Sequence, residues 1–115
     1  MENIIVEKSK AFALRIIKLY KYLDANHRIG VISKQILKSG TSIGANIREA
    51  FYAHGKADFI AKLQIALKEC YETSYWLDIM KDSGFITQEC FNELNGDCCK
   101  LRRILSASIK TAKNK

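Results

Sequence analysis

Not one of the 115 residues is proline. Proline breaks helix interiors and stiffens loops, so its absence, with only six glycines, favours a few long helices joined by short turns. A chain of this length makes a single domain, 1–115, able to bury roughly two-thirds of the surface it exposes when unfolded. Hydrophobic residues make up 48% and charged residues 27%, a globular rather than a disordered balance. No apolar run approaches the ~18 residues of a membrane span. The start, Met1 to Lys8, has neither a basic n-region nor a long apolar h-region, so the expected location is cytoplasmic.

Three glycine-containing breaks divide the chain: Asp24–Gly30, Ala53–Lys56 and Lys81–Gly84. Gly30, Gly55 and Gly84 each suit a left-handed helix C′ position, and Ser33, Asp58 and Thr87 suit the N-caps that follow. Between the breaks, apolar residues recur at spacings of three and four. The first segment offers Ile5, Phe12, Ile16, Leu19 and Leu23, and the second Ile32, Ile36, Ser39, Ile43, Ile47 and Ala50. The third offers Phe59, Leu63, Ala66, Leu67, Cys70, Ser74 and Leu77, and the fourth Cys90, Phe91, Leu94, Cys98, Leu101, Leu105 and Ser108. Each set traces one helical face, and no stretch alternates with period two. The fold expected is all-α: an antiparallel up-down four-helix bundle with helices near 3–25, 31–53, 57–82 and 87–112.

Two features depart from a plain bundle. Ser39, Gly40, Ser42, Gly44 and Asn46 crowd the second helix, and each interior glycine costs about 1 kcal/mol relative to alanine. A tight helix–helix contact would offset that cost. A ligand or anion site is the other reading, although glycines four apart make neither a G-x-G-x-x-G nor a phosphate-loop motif. On the third helix, Ala61, Ile65, Trp76 and Ile79 align opposite the core face, and Leu14 and Ile17 lie off the core face of the first. An aligned apolar strip with a tryptophan suggests a subunit interface; a core wide enough to bury both sides of the helix is the alternative.

The net charge of +7 is unevenly spread. Residues 1–56 carry ten Lys/Arg against four Asp/Glu, residues 57–97 three against eight, and residues 98–115 six against none. Lys18 and Lys21 on helix one, and Lys100, Arg103 and Lys110 on helix four, fall on common polar faces. Such faces are either simply solvated or contact the phosphates of RNA or DNA without reading bases. The four cysteines form no metal-ligand spacing, no cofactor motif appears, and the two histidines make no catalytic array, so no enzyme is expected. Glu49, Glu69 and Glu72 could instead form a carboxylate cluster for a metal, but a di-iron bundle needs Glu-x-x-His, which is missing.

Three runs resemble a known family. They are Phe12–Tyr20 (FALRIIKLY), Ser39–Ala50 (SGTSIGANIREA) and Ala61–Glu69 (AKLQIALKE), with S-I-x-x-N-I-x-E at Ser42–Glu49 the most specific. They resemble the bacterial four-helix-bundle proteins encoded in intervening sequences of 23S ribosomal RNA genes, and Arg48 stands where a small residue is expected. The resemblance implies an up-down bundle that assembles as a homopentamer. It extends to the accessory subunit of diversity-generating retroelements, a basic pentameric bundle that binds nucleic acid and a reverse transcriptase. The function expected is therefore a non-enzymatic homo-oligomer with sequence-nonspecific nucleic-acid contacts. The alternatives are a protein-interaction scaffold and a metal- or ligand-binding bundle.

Overall fold

The computed structural model describes residues 2–115, with side chains from Ile4 onward, so Met1 lies outside the described residues. It contains four helices: α1 (Glu2–Asn26), α2 (Gly30–Ala50), α3 (Lys56–Asp82) and α4 (Gln88–Lys113). They run up and down in a rod of 47 × 21 × 19 Å, each packed on the next, while α4 returns beside α1. The expected all-α bundle is what forms. No helix among the described residues is long and apolar enough to cross a membrane.

The apolar faces meet along one axis. Ile5, Phe12, Ile16, Leu19 and Leu23 from α1 join Ile36, Ile43 and Ile47 from α2, Leu63, Ala66 and Leu77 from α3, and Leu94, Leu101 and Leu105 from α4. Four polar residues, Ser9, Ser33, Ser39 and Thr73, share this interior, and each finds a hydrogen-bond partner within the bundle. Ser9 donates to the Val6 carbonyl oxygen at 3.0 Å. Thr73 donates to the Ser39 hydroxyl at 2.9 Å, and Ser39 donates in turn to the Ile36 carbonyl oxygen at 3.4 Å. A buried hydroxyl without such a partner would cost about 1–3 kcal/mol.

The glycine-rich stretch of α2 faces α1. A methyl group on Gly40 would stand 2.8 Å from both Cγ atoms of Ile16, which is fully buried. One turn on, a methyl on Gly44 would lie 3.3 Å from the Ser9 hydroxyl oxygen, a tight but yielding contact. The missing side chains thus let Ile16 sit against bare helix backbone. The neighbouring small residues turn elsewhere: the Ser39 hydroxyl accepts from Thr73 of α3, the Ser42 hydroxyl donates to the Lys38 carbonyl oxygen at 2.6 Å, and Asn46 donates to the Ser42 carbonyl oxygen at 2.9 Å. Gly40 and Gly44 thus face α1 and Ser39 faces α3, while the Ser42 and Asn46 side chains bond within α2.

The turns follow expectation only in part. Thr87 is the N-cap of α4, accepting from the Cys90 N–H at 3.0 Å. Gly84, at φ 82°, closes α3: the Gly84 N–H donates to Lys81 and the Phe85 N–H to Met80, the paired bonds of a Schellman ending. The other assignments shift. The left-handed residue after α1 is Arg28 (φ 51°), not Gly30. That early reversal lets α2 begin at Gly30 with Ile29 as N-cap, so Ser33 is buried inside the helix rather than capping it. Gly55 has a positive φ of 106° but serves as N-cap of α3, leaving Asp58 in the first turn, where its carboxylate accepts from the His54 N–H at 3.4 Å. Helix α2 stops at Ala50 rather than 53, because its end tightens into i→i−3 bonds and brings Phe51 edge-on to Phe59 at 5.7 Å.

Gly40→Ala should destabilise the fold by about 1–3 kcal/mol despite alanine's better helix propensity, because Ile16 has no room to retreat. Gly44→Ala should be close to neutral. Urea unfolding of both variants checks the contrast, and Gly40→Ala combined with Ile16→Ala, which removes both Cγ atoms, should cost less than the sum of the two single changes.

Candidate functional site

Of the four helix pairs in contact, α1 and α4 meet least closely, and the seam between them is where surface features collect. Arg15 holds the two helices in register by pairing with Asp97 and, at 3.7 Å, with Glu93. On one side of this bridge a small recess of 190 Å³ is flanked by Lys8 and Lys100. On the other a groove of 630 Å³ opens toward the α3–α4 turn, with Lys18 on its rim. Leu19, Ile86 and Leu94 form its apolar floor. Tyr22, His27 and Phe85 form an edge-to-face aromatic wall, with successive ring centroids 5.7 and 5.2 Å apart.

All five cations singled out from the sequence are exposed, and among the described residues none of them forms an ion pair. They do not gather into one patch. Lys18 and Lys100 flank the α1–α4 seam, and Lys21 and Arg103, one turn further along their helices, are exposed but line neither recess. Lys110 lies on the opposite flank of α4, in a groove shared with Gln64 and Leu67 of α3. It also stands 17 residues beyond Glu93, about 25 Å along the helix. Lys8 belongs with Lys100, and Arg15 proves to be the bridge; helix-wheel reasoning passed over both, because only the α1–α4 register brings them to the seam.

The strip on α3 is less uniform than its wheel position suggests. Ala61 and Ile65 are exposed, whereas Trp76 and Ile79 are half-buried and Trp76 packs against the core. The Trp76 indole N–H is sealed from solvent and has no acceptor among the described residues. Tyr71 and Tyr75, both more than half exposed, extend the apolar face, and Arg102 lies over the Tyr71 ring at 5.0 Å. On α1, Leu14 is exposed and Ile17 half-buried.

The three glutamates do not converge. Glu49 pairs with Lys62 at 3.3 Å, while Glu69 sits with Glu72 further along α3. No group of three His, Cys, Asp or Glu side chains among the described residues is placed to hold a metal ion. Burial, and then the neighbouring Glu72 charge, raise the Glu69 carboxyl above the ordinary carboxylate value, against smaller opposing effects of the Ser42 hydroxyl, Lys38 and Lys68. The four cysteines are free thiols. The Cys98 thiol donates to the Cys70 carbonyl oxygen at 3.2 Å, and its hydrogen bond with Cys70, together with burial, pushes the Cys70 thiol up. Burial and the nearby Glu93 likewise raise Cys90, so neither is an activated nucleophile.

The sequence model of the 23S rRNA-intervening sequence protein family matches residues 1–107. The chain belongs to that family. A crystal structure from the same group of proteins superposes with a TM-score of 0.93 at 50% identity, covering 95% of this chain and 97% of the other. It is a protein of unknown function from the S23 ribosomal protein family of Bacteroides thetaiotaomicron VPI-5482. None of the curated proteins matches. For this member of the 23S rRNA-intervening sequence family, the comparisons therefore supply a fold and a family, with no indication of an enzymatic activity.

The raised Glu69 carboxyl carries a pH signature. The unfolded chain ionises this group first, near pH 4.5, and the folded protein only at higher pH. Glu69 thus favours folding least once it is ionised, so its contribution falls as pH rises through the window just above 4.5. Glu69→Gln should remove that dependence and slightly raise the thermal midpoint at pH 7, as calorimetry from pH 4 to 7 would show.

Proposed function

We propose that this protein is a non-enzymatic homo-oligomer that holds RNA or DNA by its phosphates, through the outward faces of α1 and α4. The carrying observation is a set of exposed cations on α1 and α4 that form no ion pair among the described residues: Lys18 and Lys100 at the seam, with Lys21 and Arg103 one turn further along the same helices. Acidic α3 is partly neutralised within the chain by Lys81, which holds Asp78 at 3.1 Å and Asp82 at 3.7 Å. Helices α1 and α4 together carry ten cations against six carboxylates, an excess that attracts polyanions. Lysine and arginine at such spacing recognise backbone charge rather than base edges, so binding is sequence-nonspecific and steeply salt-dependent.

The oligomer reading rests on the outer face of α3. Ile65, Tyr71 and Tyr75 leave an apolar surface open in the single chain. A closed ring would cover it and repeat the basic face once per subunit, raising avidity by roughly two to four orders of magnitude. The number five comes from the family resemblance. The location consistent with this reading is cytoplasmic. A nucleic-acid-free scaffold for a protein partner is the competing reading, and the same experiment separates the two.

Lys100→Glu with Arg103→Glu should abolish most binding to a 30-nucleotide RNA at 50 mM salt while leaving the oligomer intact by light scattering. Wild type should lose affinity with rising salt, at a log–log slope of about 0.7–0.9 per phosphate contacted. Wild type that fails to bind at low salt would refute the nucleic-acid reading. Ile65→Glu should give folded monomers, since a charge buried without a partner costs several kcal/mol. It tests the interface more cleanly than a Trp76 substitution, because Trp76 packs within its own chain. A wild-type monomer at micromolar concentration would overturn the oligomer.

A further inference from the structure

We infer that the larger groove of the α1–α4 seam is a pocket for an unstacked nucleobase, which makes single strands rather than duplexes the preferred nucleic acid. This rests on the phosphate-binding reading above and goes beyond it in naming the strand form and the residue that selects it.

Three observations support the pocket. Its volume of 630 Å³ is ample for a base with its sugar and falls within the usual range for small-ligand sites. Its wall is aromatic and partly uncovered: Tyr22 is 50% exposed beside the His27 and Phe85 rings, whereas the floor beneath is buried and apolar. Its rim carries Lys18, exposed and without an ion-pair partner among the described residues, and Lys21 follows one turn on. Glu93 also lines the groove, but Arg15 partners it at 3.7 Å, so the rim does not present an uncompensated negative charge.

Aromatic side chains interleaved with cations are the arrangement that holds single strands, because every base offers a π-face while the phosphates meet the charges. A base paired and stacked in a duplex cannot enter a recess, whereas a base in a single strand enters at little cost. Tyr22 is thus the stacking residue, and Lys18 with Lys21 the phosphate contacts beside it. The groove is formed by the α3–α4 turn, where the Schellman ending at Gly84 sends Phe85 toward His27 and buries Ile86 against the core.

The test uses the full-length protein with a 12-nucleotide RNA carrying one 2-aminopurine, and the same RNA as a blunt duplex, at 50 mM salt. In the single strand, 2-aminopurine fluorescence should be quenched on binding to wild type. Tyr22→Ala should weaken single-strand binding about tenfold and abolish the quench, with duplex binding unchanged. Tyr22→Phe should behave as wild type, and Tyr52→Ala, at the other end of the bundle, should change nothing. Tyr22→Ala that binds single strands as tightly as wild type, or equal wild-type affinity for both forms, would overturn the base pocket while leaving the phosphate reading in place. Wild type that binds neither form would overturn both.

Discussion

The contact of Ile16 with bare backbone at Gly40 is the constraint on which the rest of the bundle depends. A β-branched side chain that is fully buried, with no methyl facing it, sets how closely α1 and α2 approach. Once α2 lies that close to α1, its opposite flank presents Ser39 to α3, where Thr73 donates to its hydroxyl. One helix therefore carries two kinds of contact, a steric notch on one side and a buried hydroxyl pair on the other. Gly40 costs about 1 kcal/mol as a helix glycine, and the notch leaves no room for a methyl there.

Much of this was legible in the sequence. The absence of proline and the spacing of three and four placed four helices within three residues of their ends, since both signals are local. Thr87 and Gly84 were readable for the same reason: a cap and a left-handed ending are decided by residues within one turn. The α1–α2 connection was not readable. An arginine takes the left-handed position there, which glycine normally fills, and the start of α2 moves three residues ahead of the serine that looked like its cap. The reason lies in tertiary packing: Leu23 must point into the core while the chain reverses within three residues.

The candidate site was legible as faces but not as a place. Periodicity sorted Lys18, Lys21, Lys100, Arg103 and Lys110 onto the polar sides of α1 and α4. It could not state which flank of each helix meets the other. That depends on the register fixed by Arg15 with Asp97, which brings Lys8 and Lys18 to the seam and leaves Lys110 beside α3. Trp76 illustrates the same limit. A wheel assigns it to the outside, yet its bulk reaches back to the core and its N–H is sealed off from solvent.

The loose seam has a consequence for the order in which the bundle forms. Every other helix contact joins neighbours in sequence, so each closes a short loop at small entropic cost. The α1–α4 contact alone joins residues some 80 apart, with Arg15 meeting Asp97, and it is the weakest of the four. Three helices can therefore assemble by local hairpin steps, with docking of the chain's two ends against each other coming last and reversing first. Whatever occupies that seam acts as a staple across the ends of the chain, and its binding energy adds directly to the protection of the helices that fray most readily.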